Sequence, residues 1–126
     1  MQKNNFKTLV IGASENHDRY SNKAVLMLQK FGYDVVSLGN RPGKINGITI
    51  ETENILFEDI HTITLYINPE IQKIYRDYIL QLKPKRIIFN PGTENTSLEL
   101  EAKSLGICTE NACTLVLLST GGYEKI

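Results

Sequence analysis

The stretch that most constrains the fold is Thr8-Leu9-Val10-Ile11-Gly12-Ala13-Ser14, a run of large apolar residues that stops at glycine. An uninterrupted apolar run bounded by glycine suits a strand covered on both faces, and such strands belong to parallel sheets lying between helices. Beyond the turn an amphipathic helix begins near Ser21. Backbone amides at the start of a helix point outward without intrahelical partners, and the helix dipole adds partial positive charge, so a phosphate is the natural ligand of such a turn.

The rest of the chain repeats the alternation. Ser21 is placed to cap a helix whose Ala24, Val25, Leu26, Leu28 and Phe31 recur at helical spacing until Gly32 stops it. Val35, Val36 and Leu38 form a second strand. From Gly39 to Asn54 glycine and proline mark turns, and Ile48 and Ile50 alternate with polar residues, which predicts a short edge strand near Ile48. Leu56, Phe57 and Ile60 read as a docking segment before a strand over Thr62 to Ile67. A helix follows from about Glu70, with Ile71, Ile74, Tyr78, Ile79 and Leu82 assigned to its buried face. Lys83-Pro84-Lys85 breaks it, Arg86 to Phe89 gives a strand, and Thr96 or Ser97 opens a helix through Leu98, Leu100 and Leu105. Ile107 to Thr109 is the last principal strand, with Cys108 in the core, and Ala112 to Leu118 closes the chain as a helix. The pattern predicts an α/β fold, doubly wound, with a mainly parallel sheet of about five strands flanked by helices and a short extra edge strand.

At 126 residues the chain is expected to form a single domain over 1–126, with a core that needs neither disulfide nor metal. Fourteen Lys and Arg balance fourteen Asp and Glu, so no overall field draws it to nucleic acid or an anionic membrane. Cys108 and Cys113, with only His17 and His61 as histidines, make no zinc pattern. Met1 to Asn5 contain no apolar leader core, and no run is as long as a membrane span, so a cytoplasmic setting with reduced thiols is expected.

In a doubly wound sheet, ligands bind beyond the carboxyl ends of the strands. The first loop is not a dinucleotide fingerprint, because Ser14 and His17 stand where G-x-G-x-x-G needs glycine. The second strand ends not in an acidic residue but in Gly39-Asn40-Arg41, with Lys44 close behind. Cationic groups there suit a phosphorylated ribose, which admits NADP or coenzyme A. Arg19 and Lys23, in the Arg19-Tyr20-Ser21-Asn22-Lys23 cluster, are placed to close over a pyrophosphate. No paired acid, base or nucleophile emerges, and His17 has no identifiable partner, so no catalytic residue is assigned.

Five segments occur in order between about Lys7 and Leu118: Val10-Ile11-Gly12-Ala13-Ser14, Arg19 through Val25, Gly32-Tyr33-Asp34-Val35, Asn90-Pro91-Gly92-Thr93-Glu94 and Asn111-Ala112-Cys113-Thr114-Leu115. Together they resemble the small single-domain CoA-binding proteins, which are similar to the CoA-binding domain of the succinyl-CoA synthetase alpha subunit. The resemblance implies a Rossmann-like fold that binds coenzyme A or an acyl-CoA. Gly12, Ala13 and Ser14 with Arg19, Tyr20, Ser21 and Lys23 would hold the phosphates, and Asn40 and Arg41 would lie near the adenosine. Asn68, Pro69, Asn90, Pro91 and Gly92 would line the groove. Cys113 would stand at its end, either as a small buried side chain or as a thiol able to form a mixed disulfide with CoA. The chain departs from the family pattern at Ser37-Leu38-Gly39-Asn40, where proline is usual, and at Asn111, where an acidic residue is usual. The synthetase's phosphohistidine and its ATP-using partner lie outside the matched region, so no synthetase chemistry is inherited. Competing expectations are an NADP-dependent oxidoreductase or nucleotide-sensing module, and an interaction module with a vestigial pocket. Leu115-Val116-Leu117-Leu118 would either complete the core or form a homodimer face.

Overall fold

A computed structural model describes residues 3–125; Met1, Gln2 and Ile126 lie outside the described residues. The chain runs β1 (Lys3–Ile11), α1 (Tyr20–Lys30), β2 (Tyr33–Leu38), β3 (Gly43–Ile45), β4 (Ile48–Glu51), β5 (Thr62–Leu65), α2 (Pro69–Gln81), β6 (Arg86–Phe89), α3 (Thr96–Ser104), β7 (Cys108–Asn111) and α4 (Thr114–Thr120). Seven strands form one sheet in the order β3-β4-β2-β1-β5-β6-β7, parallel throughout except for the β3–β4 pair. The chain leaves the central β1 on one side through β2, β3 and β4, then returns past it to β5. Its winding therefore reverses between β1 and β5, and the crevice beyond their carboxyl ends is where such sheets take ligands.

The apolar run of β1 divides between two cores. Leu9 and Ile11 pack with Ile63, Phe89, Ile79 and Leu98 on the face of α2 and α3, whereas Val10 packs with Val25, Leu28, Val35 and Leu118 under α1 and α4. This is the doubly covered α/β sheet that consecutive apolar residues predict.

Two of the seven strands come from the Gly39 to Asn54 stretch. Asn46 and Gly47, both at positive φ (46° and 85°), make the tight turn that folds β3 back on β4, and asparagine-glycine is the pair best suited to that geometry. Ile48 thus begins β4, one place in from the edge, and β3 forms the edge itself.

Several helix faces differ from expectation. On α2, Ile74 is 74% exposed and Ile71 is also exposed, whereas Gln72 is 1% exposed. The Gln72 amide explains the rotation: Nε2 donates to the carbonyls of Ile67 and Thr93, both at 2.8 Å, and Oε1 accepts from Asn95 Nδ2. Satisfying three loop groups inside the protein outweighs burying an isoleucine at that phase. On α3, Leu98 and Ala102 are buried while Leu100 and Leu105 face outward. Leu56 is exposed, leaving Phe57 and Ile60 as the docking contacts. Cys108 is exposed, not core, because β7 is the sheet's edge strand. α4 begins at Thr114 rather than Ala112, with Leu118 buried and Val116 exposed.

Arg86, which reads in the sequence as an ordinary strand residue, is fully buried. Its Nε donates to Thr62 Oγ1 at 3.1 Å, and Nη1 donates to the Tyr123 carbonyl at 2.6 Å and pairs with Glu110 at 3.2 Å. The guanidinium carbon stands 4.5 Å from the centre of the Tyr123 ring, and Tyr123 bonds Thr8 through its hydroxyl. Burial pushes the Tyr123 hydroxyl up in pKa, while burial first, then Arg86 and Lys85, holds His61 below the usual histidine value. Segment 121–125 is thereby strapped to the amino-terminal end of the sheet, away from the crevice. Arg86→Ala is expected to destabilise the fold by about 3 kcal/mol, because it strips a buried carbonyl and hydroxyl of their donor, and a urea unfolding curve checks it.

Candidate functional site

At the carboxyl end of β1, Gly12 adopts φ +96°, and a Cβ there would lie 2.9 Å from the Tyr66 carbonyl oxygen. Its amide and that of Ala13 both donate to the Leu38 carbonyl, at 2.9 and 3.0 Å. At the end of β2, a Cβ on Gly39 would come within 2.4 Å of the Ala13 carbonyl oxygen. Two glycines thus let three strand ends converge. A loop amide bonded to Leu38 is not free for a phosphate, so any anion held by this loop would have to meet later groups. Among the described residues the amides of Ser14 and Glu15 have no protein acceptor.

The loop after Gly12 is set by its own side chains. Ser14 Oγ accepts from the Asn16 amide, Asn16 Oδ1 accepts from the Asp18 amide, and Asn22 Nδ2 donates to the Ser14 carbonyl at 2.8 Å. Arg19 is the N-cap of α1, and no side chain caps that helix. Ser21 lies inside the first turn and is buried, so it is not the cap its position suggests. By contrast Asn68 and Asn95 cap α2 and α3 by accepting from the amides of Ile71 and Leu98. At the amino end of α1 the Asn22 and Lys23 amides donate to the Arg19 carbonyl, and those of Tyr20 and Ser21 have no protein acceptor among the described residues.

Between that loop and the end of β2 lies a cleft of about 230 Å³ lined by Ala13, Ser14, Glu15, Asn16, Asn40, Arg41 and Pro42. Arg41 is exposed and makes no ion pair among the described residues. A family model described as CoA binding domain matches residues 7–119. The chain belongs to this CoA-binding domain family.

A protein whose crystal structure is described only as that of an uncharacterized protein is 44% identical, with a TM-score of 0.91 over 93% of this chain and 97% of that one. A hypothetical protein from Pyrococcus horikoshii OT3 is 21% identical, with a TM-score of 0.81 over 90% of this chain and 81% of its own. A Thermus thermophilus protein, cell-free ID.343, is 17% identical, with a TM-score of 0.80 over 92% of this chain and 89% of its own. The last two share the fold. No curated protein matches the chain.

In this CoA-binding domain, Ala13, Ser14, Asn40 and Arg41 meet in one cleft. Arg19, Tyr20 and Lys23 are exposed at the start of α1; Tyr20 is 67% exposed, and Lys23 Nζ donates to the His17 carbonyl. Other sequence-derived candidates are engaged within the protein. The Asn68 side chain is occupied as a cap. Asn90 is buried, its Nδ2 donating to Thr64 Oγ1 and the Leu65 carbonyl and its Oδ1 accepting from the Thr114 amide. It joins β5, β6 and α4, which makes it a positioning residue for the crevice wall. Pro69 is half-buried in the first turn of α2, while Pro91 and Gly92 are exposed on the turn after β6. Cys113 is half-buried as the N-cap of α4 and does not line the cleft.

Three contributors escape the sequence reading. Glu15 and Asn16 line the cleft beside Ser14, and Tyr66 follows β5 with its hydroxyl buried and with no hydrogen-bond partner among the described residues, its pKa pushed up to about 12, chiefly by burial. Glycine at 43 signals the first of them: a Cβ there would lie 2.3 Å from Glu15 Cδ. Gly12→Ala should destabilise the domain by about 2 kcal/mol or more, since positive φ and the Tyr66 carbonyl both oppose a side chain; thermal and urea unfolding measure it.

Proposed function

We propose that the chain binds coenzyme A or an acyl-CoA at the carboxyl edge of its sheet, without catalysis of its own. The observation that carries this reading is the cleft between the first loop and Asn40-Arg41-Pro42, at the carboxyl ends of the neighbouring strands β1 and β2, the edge where parallel sheets take ligands, in a member of the CoA-binding domain family. The free amides near Ser14, the uncapped start of α1 and the neighbouring Arg19 and Lys23 suit the phosphates. Arg41 suits the phosphorylated ribose. The ligand then runs past Gly12 toward Pro69, Pro91, Gly92 and Cys113. The carboxamide sets of Asn68 and Asn90 shape this path from within rather than by direct contact. We read residues 1–126 as a single domain acting in the cytoplasm. Balanced charge, free cysteines and the lack of any helix long and apolar enough to cross a membrane among the described residues support that setting.

Calorimetric titration with CoA, acetyl-CoA, NADPH and NADH tests the reading. Saturable binding of CoA or acetyl-CoA is expected; a clear NADPH signal with none from CoA overturns it in favour of an NADP-binding module, and no ligand at all favours an interaction module. Native mass spectrometry of the same sample reports whether Val116 and its neighbours hold a homodimer. Ser14→Asp is expected to weaken CoA binding by about tenfold, by setting an anion against the phosphate, and unchanged affinity would remove the first loop from the site.

A further inference from the structure

We propose that Glu15 is a specificity-determining residue of the cleft: its carboxylate occupies the Lys44 amide, and a phosphate group on the ligand must displace it. The assignment rests on reading the cleft as a phosphate site. Glu15 Oε2 accepts from the Lys44 amide at 2.9 Å, joining the first loop to the edge strand β3. Gly43 creates the seat, since a Cβ at that position would meet Cδ, Oε2 and Cγ of Glu15 at 2.3, 2.6 and 2.7 Å. The side chain is therefore held in a built notch.

Charge makes this contact a selector. The cleft measures about 230 Å³, and Glu15 and Arg41 both line it. No ion pair joins the two among the described residues, so the carboxylate uses a backbone donor while the guanidinium stays open. A phosphate drawn to Arg41 enters the cleft that Glu15 also lines, where like charges repel. Glu15 is exposed, so its carboxylate can swing into water once released, and the vacated Lys44 amide becomes a donor for the incoming anion. A ligand without a phosphate at this end leaves the Glu15–Lys44 contact in place. Displacement also unties β3 from the first loop, so occupancy of the cleft is communicated to the hairpin.

The test uses two probes on the full chain and on its E15Q and E15A variants. Inorganic pyrophosphate is titrated while the Lys44 amide resonance is followed by NMR. E15Q removes the charge and keeps an acceptor; it is expected to shift the midpoint to about fivefold lower pyrophosphate, and E15A at least as far. Equal midpoints in all three proteins, or no response at Lys44, overturn the proposal. So does weaker binding in both variants, which would make Glu15 a support of the cleft instead. Calorimetry with CoA and 3′-dephospho-CoA then asks which phosphate competes: E15Q should tighten CoA about fivefold and 3′-dephospho-CoA less than twofold. Equal tightening of both overturns the selectivity for that phosphate. If CoA binds none of the proteins while pyrophosphate still discriminates among them, the coenzyme A reading fails and the role of Glu15 stands.

Discussion

A peptide carbonyl can lie against the end of β1 only because residue 12 has no side chain. The Tyr66 amide, which donates to the Ile11 carbonyl at 2.9 Å, and the Leu38 oxygen, which accepts from two successive amides, hold three parallel strands together at the point where the chain reverses its winding. Gly39 repeats the device one strand away by passing under the Ala13 carbonyl. Everything at the ligand edge follows from this convergence. It delivers the first loop to the end of β2 and so forms the two sides of the cleft.

The same convergence decides which groups of the first loop are available. Hydrogen bonds that hold Gly12 and Ala13 to β2 make these residues scaffold, and leave the amides of Ser14 and Glu15 as the groups that the proposed site would use. On the other side, Asn90 binds three elements through one amide and fixes where β5, β6 and α4 end. The chain is a member of a CoA-binding domain family, and local chemistry explains why the residues nearest the strands are structural.

Strands were legible in the sequence wherever apolar residues ran consecutively. Leu9-Val10-Ile11 and Ile87-Ile88-Phe89 leave no face for solvent, and both are buried. Helix faces were less legible. Hydrophobicity assigns Ile71 and Ile74 inward, but Gln72 has three loop partners that no periodicity reveals. Cys108 misleads because an edge strand looks like a central one until the sheet order is known. At the site, Ser14 and Arg41 could be placed by counting from strand ends, because a parallel sheet sends every carboxyl end to one edge. Glu15 could not, since its partner lies 29 residues away on a hairpin that only the three-dimensional fold brings near. Arg86 was hidden for a similar reason: its acceptors come from β5, β7 and segment 121–125.

That last connection bears on how the sheet is held. Arg86 lies 37 residues before Tyr123, whose carbonyl and ring complete its burial. Without segment 121–125 the guanidinium keeps Thr62 and Glu110 but loses that carbonyl and that ring. Seating β6 at the amino-terminal end of the sheet therefore depends on a segment which contributes no strand of its own to that sheet.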